Sequence, residues 1–180
     1  MAGPDRGGTR RDRRPSRLLL QLGKGVDAVR FWDALDAIGV DFYDPLSGSS
    51  RPTDGELAAG ARAALRPLAA AAARTGKPVY LTEIGYPSVA GAWITPHDES
   101  SPRPYSAEDP ARCARAVFAA LEGARWCRGL FWWKAFSDGR PAEPGAKTFN
   151  VVGRPIEAEI REGFRRMRGD GAMAGAAANQ

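Results

Sequence analysis

The chain has 180 residues, 43% of them hydrophobic and 26% charged, an ordinary balance for one domain with a packed core. Its net charge of +5 raises nucleic acid as a partner, but six arginines up to Arg17 face only Asp5 and Asp12, a net of +4, while 20 basic and 19 acidic groups nearly cancel elsewhere. No aromatic residue interrupts those arginines and the longest early apolar run is Leu18 to Leu20, so nucleic-acid binding, a membrane span and an export signal are not expected.

Residues 1–24 read as a basic tail outside the fold, disordered or translated out of frame, although Leu18 to Leu22 is apolar enough for a strand. A helix is expected over Val26 to Ile38, then a short strand Val40-Asp41-Phe42-Tyr43 closed by Pro45 and a serine-rich loop. Asp54 is placed to cap an alanine-rich helix running to Thr75, with Gly76 as its stop and Leu57, Ala61, Leu65, Leu68 and Ala72 on one face. Pro67 inside that run predicts a kink or a split.

Val79 to Thr82 is the next strand, and it ends in Glu83. A Gly, Pro and Ser-rich loop follows from Pro87 to Tyr105, then a helix opened by Ser106 and Glu108 with Ala114, Val117, Phe118 and Leu121 as its buried stripe. Gly129 to Trp133 reads as a strand, and a last helix from Pro155 aligns Ile156, Ile160, Phe164 and Met167 before a disordered end over 169–180. Near-continuously apolar strands alternating with helices are the pattern of parallel β/α units, an α/β fold.

A carboxylate at the C-terminal end of a parallel strand, followed by Gly85 and an open loop, sits where barrel enzymes gather their chemistry. With aromatic residues around it, Glu83 suits attack on, or stabilisation of, a sugar oxocarbenium centre. The same residue could instead cap a helix or pair with Lys134. Trp132 and Trp133 must point to opposite faces, one toward a cleft where it can stack on a sugar and one toward helices. Tyr43 and Tyr86 can bond the carboxylate or a sugar hydroxyl, or can be core tyrosines. The single histidine, His97, lacks convergent ligands, and Cys113 and Cys127 read as packed thiols, so neither a metal nor a cofactor is expected. Walker, dinucleotide and serine-elbow motifs are absent.

The segments Phe31 to Tyr43, Lys77 to Tyr86, Gly129 to Trp133 and Gly153-Arg154-Pro155 resemble, in order, motifs of glycoside hydrolase family 113, the β-mannanase-like barrels of the large retaining-glycosidase clan. The resemblance covers about 26–168 and implies the C-terminal half of a (β/α)8 TIM barrel, from about strand five or six to strand eight. It implies that Glu83 is the nucleophile at the end of strand seven and that a β-linked, mannan-like glycan is the substrate, with Tyr43, Tyr86, Trp132 and Trp133 expected from the residues themselves as substrate contacts. The acid/base glutamate of the clan lies on strand four, for which this sequence has no counterpart. A complete barrel takes about 250 residues, so two expectations stand: a glycosidase in the complete parent fold, or a non-catalytic carbohydrate-binding or remnant half-barrel prone to self-association through its open edges. Asp41, Asp44 and Glu99 are the candidates for a second carboxylate should the short chain be active.

Overall fold

The computed structural model describes residues 17–21, 26 and 28–177, with side chains described for 26, 28–32 and 34–168. Four strands, β1 (Arg17–Gln21), β2 (Ala37–Phe42), β3 (Val79–Ile84) and β4 (Cys127–Trp132), form one sheet in sequence order, every pair parallel. A parallel strand needs a crossover to return the chain, and α1 (Asp54–Thr75) and α2 (Glu108–Leu121) supply it between β2 and β3 and between β3 and β4. Helix α3 (Pro155–Ala177) follows β4. It packs against α2, which packs against α1. The architecture is a partial (β/α)8 barrel.

The core lies between the sheet and these helices. Ile38, Val40 and Phe42 of β2, Val79, Leu81 and Ile84 of β3 and Leu130 of β4 meet Leu57, Leu65 and Leu68 of α1 and Val117 and Phe118 of α2. Each fully buried residue of this kind adds about 1.5–3 kcal/mol of apolar transfer energy, which makes this face the source of most of the stability. Close approach completes it: a Cβ on Gly163 of α3 would stand 2.2 Å from the Phe118 ring, so only glycine lets α3 settle onto α2 here.

Several local expectations are corrected. The segment expected as a helix over Val26 to Ile38 holds only a single 3-10 turn, Trp32–Ala34, and Ala37 already begins β2. Pairing decides this: the Ile38 amide donates to the Pro78 carbonyl, and the Trp32 indole donates to the Val26 carbonyl at 3.2 Å, so the apolar residues that looked helical serve a strand and a turn. Within the segment assigned to the tail, Arg17–Gln21 pair with Ala37–Asp41, and the alternative reading of a strand near Leu18 to Leu22 is the one realised; residues 1–16 lie outside those described.

Thr53, not Asp54, caps α1, in a capping box where the Glu56 amide donates to Thr53 Oγ1 at 3.2 Å and the Thr53 amide to Glu56 Oε2 at 2.7 Å. Gly76 ends the helix in the left-handed conformation, as its position implied. Pro67 does not split the helix, which runs as one element through it. Helix α3 continues to Ala177, past the expected end near Arg168.

Candidate active site

The C-terminal ends of β2, β3 and β4 meet at one rim of the sheet. Pairing between β2 and β3 slips one residue there, setting Asp41 opposite Glu83 and leaving Thr82 unmatched. The Thr82 hydroxyl donates to Asp41 Oδ1 at 3.0 Å, tying the two strands on the side turned away from the helices. Bulges of this kind re-aim the side chains that follow them, and Glu83 is the next residue.

Glu83 is half-buried, and the Tyr43 phenol, just past the end of β2, lies close enough to feel the charge of its carboxylate. Burial pushes the Tyr43 hydroxyl well above the usual tyrosine range; the proximity of the Glu83 carboxylate adds to this, as do the charges of Asp41 and Glu99. The phenol therefore stays protonated and can donate to a carboxylate oxygen.

Behind Glu83 the chain is nested tightly. A Cβ on Gly85 would lie 2.4 Å from the Trp133 carbonyl and 3.0 Å from the Phe149 ring. The Trp133 amide donates to the Ile84 carbonyl at 2.7 Å, the Lys134 amide to the Phe149 carbonyl at 3.2 Å and the Val151 amide to the Lys134 carbonyl at 3.1 Å. The Trp133–Lys134 peptide is cis. Phe149 also meets the Tyr43 ring edge-on at 6.1 Å between centroids. Phe149 and Thr82 were missed by the sequence reading: Phe149 sits in an irregular segment with no periodicity, and Thr82 looks like any strand residue until the bulge is known.

The long loop after β3 is organised, not slack. Val89 and Tyr105 bridge its two ends. Arg103 donates to the Gly91 carbonyl at 2.6 Å and to the hydroxyls of Thr95 and Ser101, and the Gly91 amide donates to Asp109 Oδ2 at 2.6 Å. The loop delivers Glu99 to the rim, where its carboxylate lies 3.7 Å from Lys134 Nζ and accepts from the Phe149 amide at 3.4 Å. Lys134 thus pairs with Glu99, and its ammonium stands 5.3 Å from the Trp133 ring centroid.

The aromatic candidates divide. Trp133 is 42% exposed beside this ion pair, while Trp132 turns to the helices, stacked on Phe118 at 5.9 Å and packed against Tyr86 at 6.2 Å. Tyr86 is 1% exposed, and burial pushes its hydroxyl far up. Tyr86 and Trp132, both expected as substrate contacts, thus stand on the packed side of the sheet, where the period of two sends them. The Tyr86 hydroxyl and the Trp132 indole have no hydrogen-bond partner among the described residues. Of the other carboxyls, Asp44 is half-buried and raised by that burial. His97 is exposed in a turn, Cys113 and Cys127 are buried free thiols, and no cluster among the described residues could hold a metal. No helix of the described residues is long and apolar enough to cross a membrane.

Known structures share this fold. A GH113 beta-1,4-mannanase complex superposes with a TM-score of 0.68 at 19% identity, covering 84% of this chain and 45% of that one. The GH113 beta-mannanase AaManA from Alicyclobacillus acidocaldarius, in complex with ManMIm, gives 0.67 at 24% identity and the same coverages. The beta-glucuronidase of Bifidobacterium dentium, complexed with coumarin-3-O-glucuronide, gives 0.55 at 17% identity over 83% of this chain and 23% of its own. The chain spans less than half the length of the mannanases it matches. A comparison with curated protein sequences finds no match. The sequence profile of Glycoside Hydrolase Family 113, however, matches residues 23–150, from before β2 through the Glu83 strand and its loop to Phe149 and Asn150. With three strands and the rim they form inside that match, the chain belongs to glycoside hydrolase family 113.

Proposed function

We propose that Glu83 is the nucleophile of a retaining glycosidase acting on β-linked, mannan-like glycans, and that this activity belongs to a complete barrel of which the chain forms the C-terminal half. The observation that carries the reading is the placement of a protonated Tyr43 phenol beside a half-buried Glu83 at the C-terminal rim of the sheet. In such a reaction Glu83 attacks the anomeric carbon, and Tyr43 holds its carboxylate in line. Trp133, exposed at the same rim, offers a flat face to the sugar ring. The similarity to a beta-1,4-mannanase and a second beta-mannanase supports a β-linked mannan, and the family supports carbohydrate as the substrate class.

Retention needs a second carboxyl about 5–5.5 Å from the first to protonate the leaving group. The candidates on this chain are otherwise engaged: Asp41 accepts from Thr82, Glu99 pairs with Lys134, and Asp44 lies by Tyr86 among buried groups. The short chain is therefore expected to be inactive alone. This favours a second reading for it, a carbohydrate-binding or remnant half-barrel that self-associates through its open face. Assay of the chain, of Glu83→Gln and of a version extended with upstream coding sequence, on soluble β-mannan and an activated aryl glycoside, tests both. Turnover by the extended protein alone supports the nucleophile assignment, while equal turnover by its Glu83→Gln form refutes it.

A further inference from the structure

We infer that two copies of this chain close into one eight-stranded parallel barrel about a two-fold axis, with β4 of each pairing alongside β1 of the other. This deepens the self-association reading above and rests on the partial-barrel fold, not on the catalytic assignment.

In the order β1-β2-β3-β4 only the inner sides of β1 and β4 are paired, so among the described residues each end of the sheet presents a free row of amides and carbonyls. The two rows match: all strands run the same way, β1 has five residues and β4 has six. Placing β1 of a second copy beside β4 therefore makes a parallel pair of the kind already present three times in the sheet. A two-fold rotation makes that junction twice, leaving no free edge, and the strand count becomes the eight of a (β/α)8 barrel. The curvature suits this closure, since the sheet and its helices superpose on 45% of a family barrel with a TM-score of 0.68.

Part of the exposed apolar surface lies where the closure would cover it. The large hydrophobic side chains exposed among the described residues are Phe31, Tyr105, Phe131, Trp133 and Phe136. Three of the five belong to β4 or the residues just after it, and Phe131, at 57%, is the most exposed. Helices cover the opposite face, so Phe131 stands on the face that becomes the barrel interior. Four strands about 4.8 Å apart and about 18 Å long give an open face of roughly 350 Å² per copy. With two new edge pairings and flanking loops, the dimer reaches the order of 1,000 Å² buried in total that a specific interface needs. Both copies of Glu83 then stand at the same mouth, on the third and seventh of eight strands.

Sedimentation velocity of the purified chain, across a hundredfold range of concentration, tests the closure. The expected result is a closed species of twice the 19.3 kDa chain mass that does not grow further. Phe131→Asp, harmless to a single copy because the side chain is exposed there, should weaken the dimer about 30-fold or more by placing two charges in the barrel interior, with the circular dichroism unchanged. A wild-type monomer throughout, or assemblies that lengthen with concentration, overturns the inference. So does a dimer that Phe131→Asp leaves intact. Because no readout involves sugar turnover, failure of this closure and failure of the Glu83 assignment are separately visible.

Discussion

The two faces of the sheet differ in what they are built to do, and adjacent tryptophans display the difference. Trp132 enters the helix side, where it stacks on Phe118 and joins a close-packed core, whereas Trp133 emerges on the other side next to Lys134 and Glu99. On the packed side, shape and apolar area matter, and a missing methylene is felt. On the open side, Asp41, Thr82, Glu83, Tyr43 and Glu99 form a polar rim whose geometry is set by hydrogen bonds and ion pairs. The fold thus separates what stabilises it from what it can use.

The sharpest way to break the comparison is at Glu83. In the extended barrel Glu83→Gln should lower kcat on an activated aryl glycoside by about 10⁴-fold or more while leaving the unfolding midpoint in place, because the side chain is outside the packed face. Next comes the tryptophan pair. Trp132→Ala should cost about 3 kcal/mol in urea unfolding, and Trp133→Ala well under about 1 kcal/mol but a large loss of mannan-oligosaccharide affinity by calorimetry. Equal stability losses for the two would show that the faces are not distinct.

Gly163→Ala tests the packed face by addition. Its new methyl would press into the Phe118 ring, and a loss of about 2 kcal/mol is expected from the same unfolding measurement. Tyr43→Phe is the smallest change, an expected drop of about tenfold in kcat for the extended enzyme, with a pH signature. The Tyr43 pKa is raised on folding, so the folded form holds its proton where the unfolded one, near 10, has lost it. That contribution is complete below pH about 10 and is lost as pH rises beyond it. The alkaline fall in stability should therefore be shallower in Tyr43→Phe, as followed by thermal unfolding at several pH values.

Much of this was legible before any coordinates. The α1 boundary at Gly76, the buried stripe of α2 at Ala114, Val117, Phe118 and Leu121, and the strand leading to Glu83 all follow from periodicity and stop signals that act over a few residues. The site was less so. That Lys134 answers Glu99 and not Glu83 depends on where a loop of some twenty residues returns, which no local rule encodes. The period of two requires Trp132 and Trp133 to face opposite sides, but which of them packs depends on the side the helices occupy. The 3-10 turn in place of a helix near Trp32 has the same origin, since hydrogen bonds to distant strands outweighed local propensity.

By itself the sequence determined the β/α alternation, the family motifs and the carboxylate at a strand end, because hydrophobic period, capping and turn chemistry are short-range and written residue by residue. Only the tertiary structure decided that Tyr43 stands beside Glu83, that Tyr86 is buried, and that Arg17–Gln21 form an edge strand. Those outcomes depend on parallel pairing between segments far apart in the chain, where a single bulge between Val40 and Asp41 re-aims the side chains that follow.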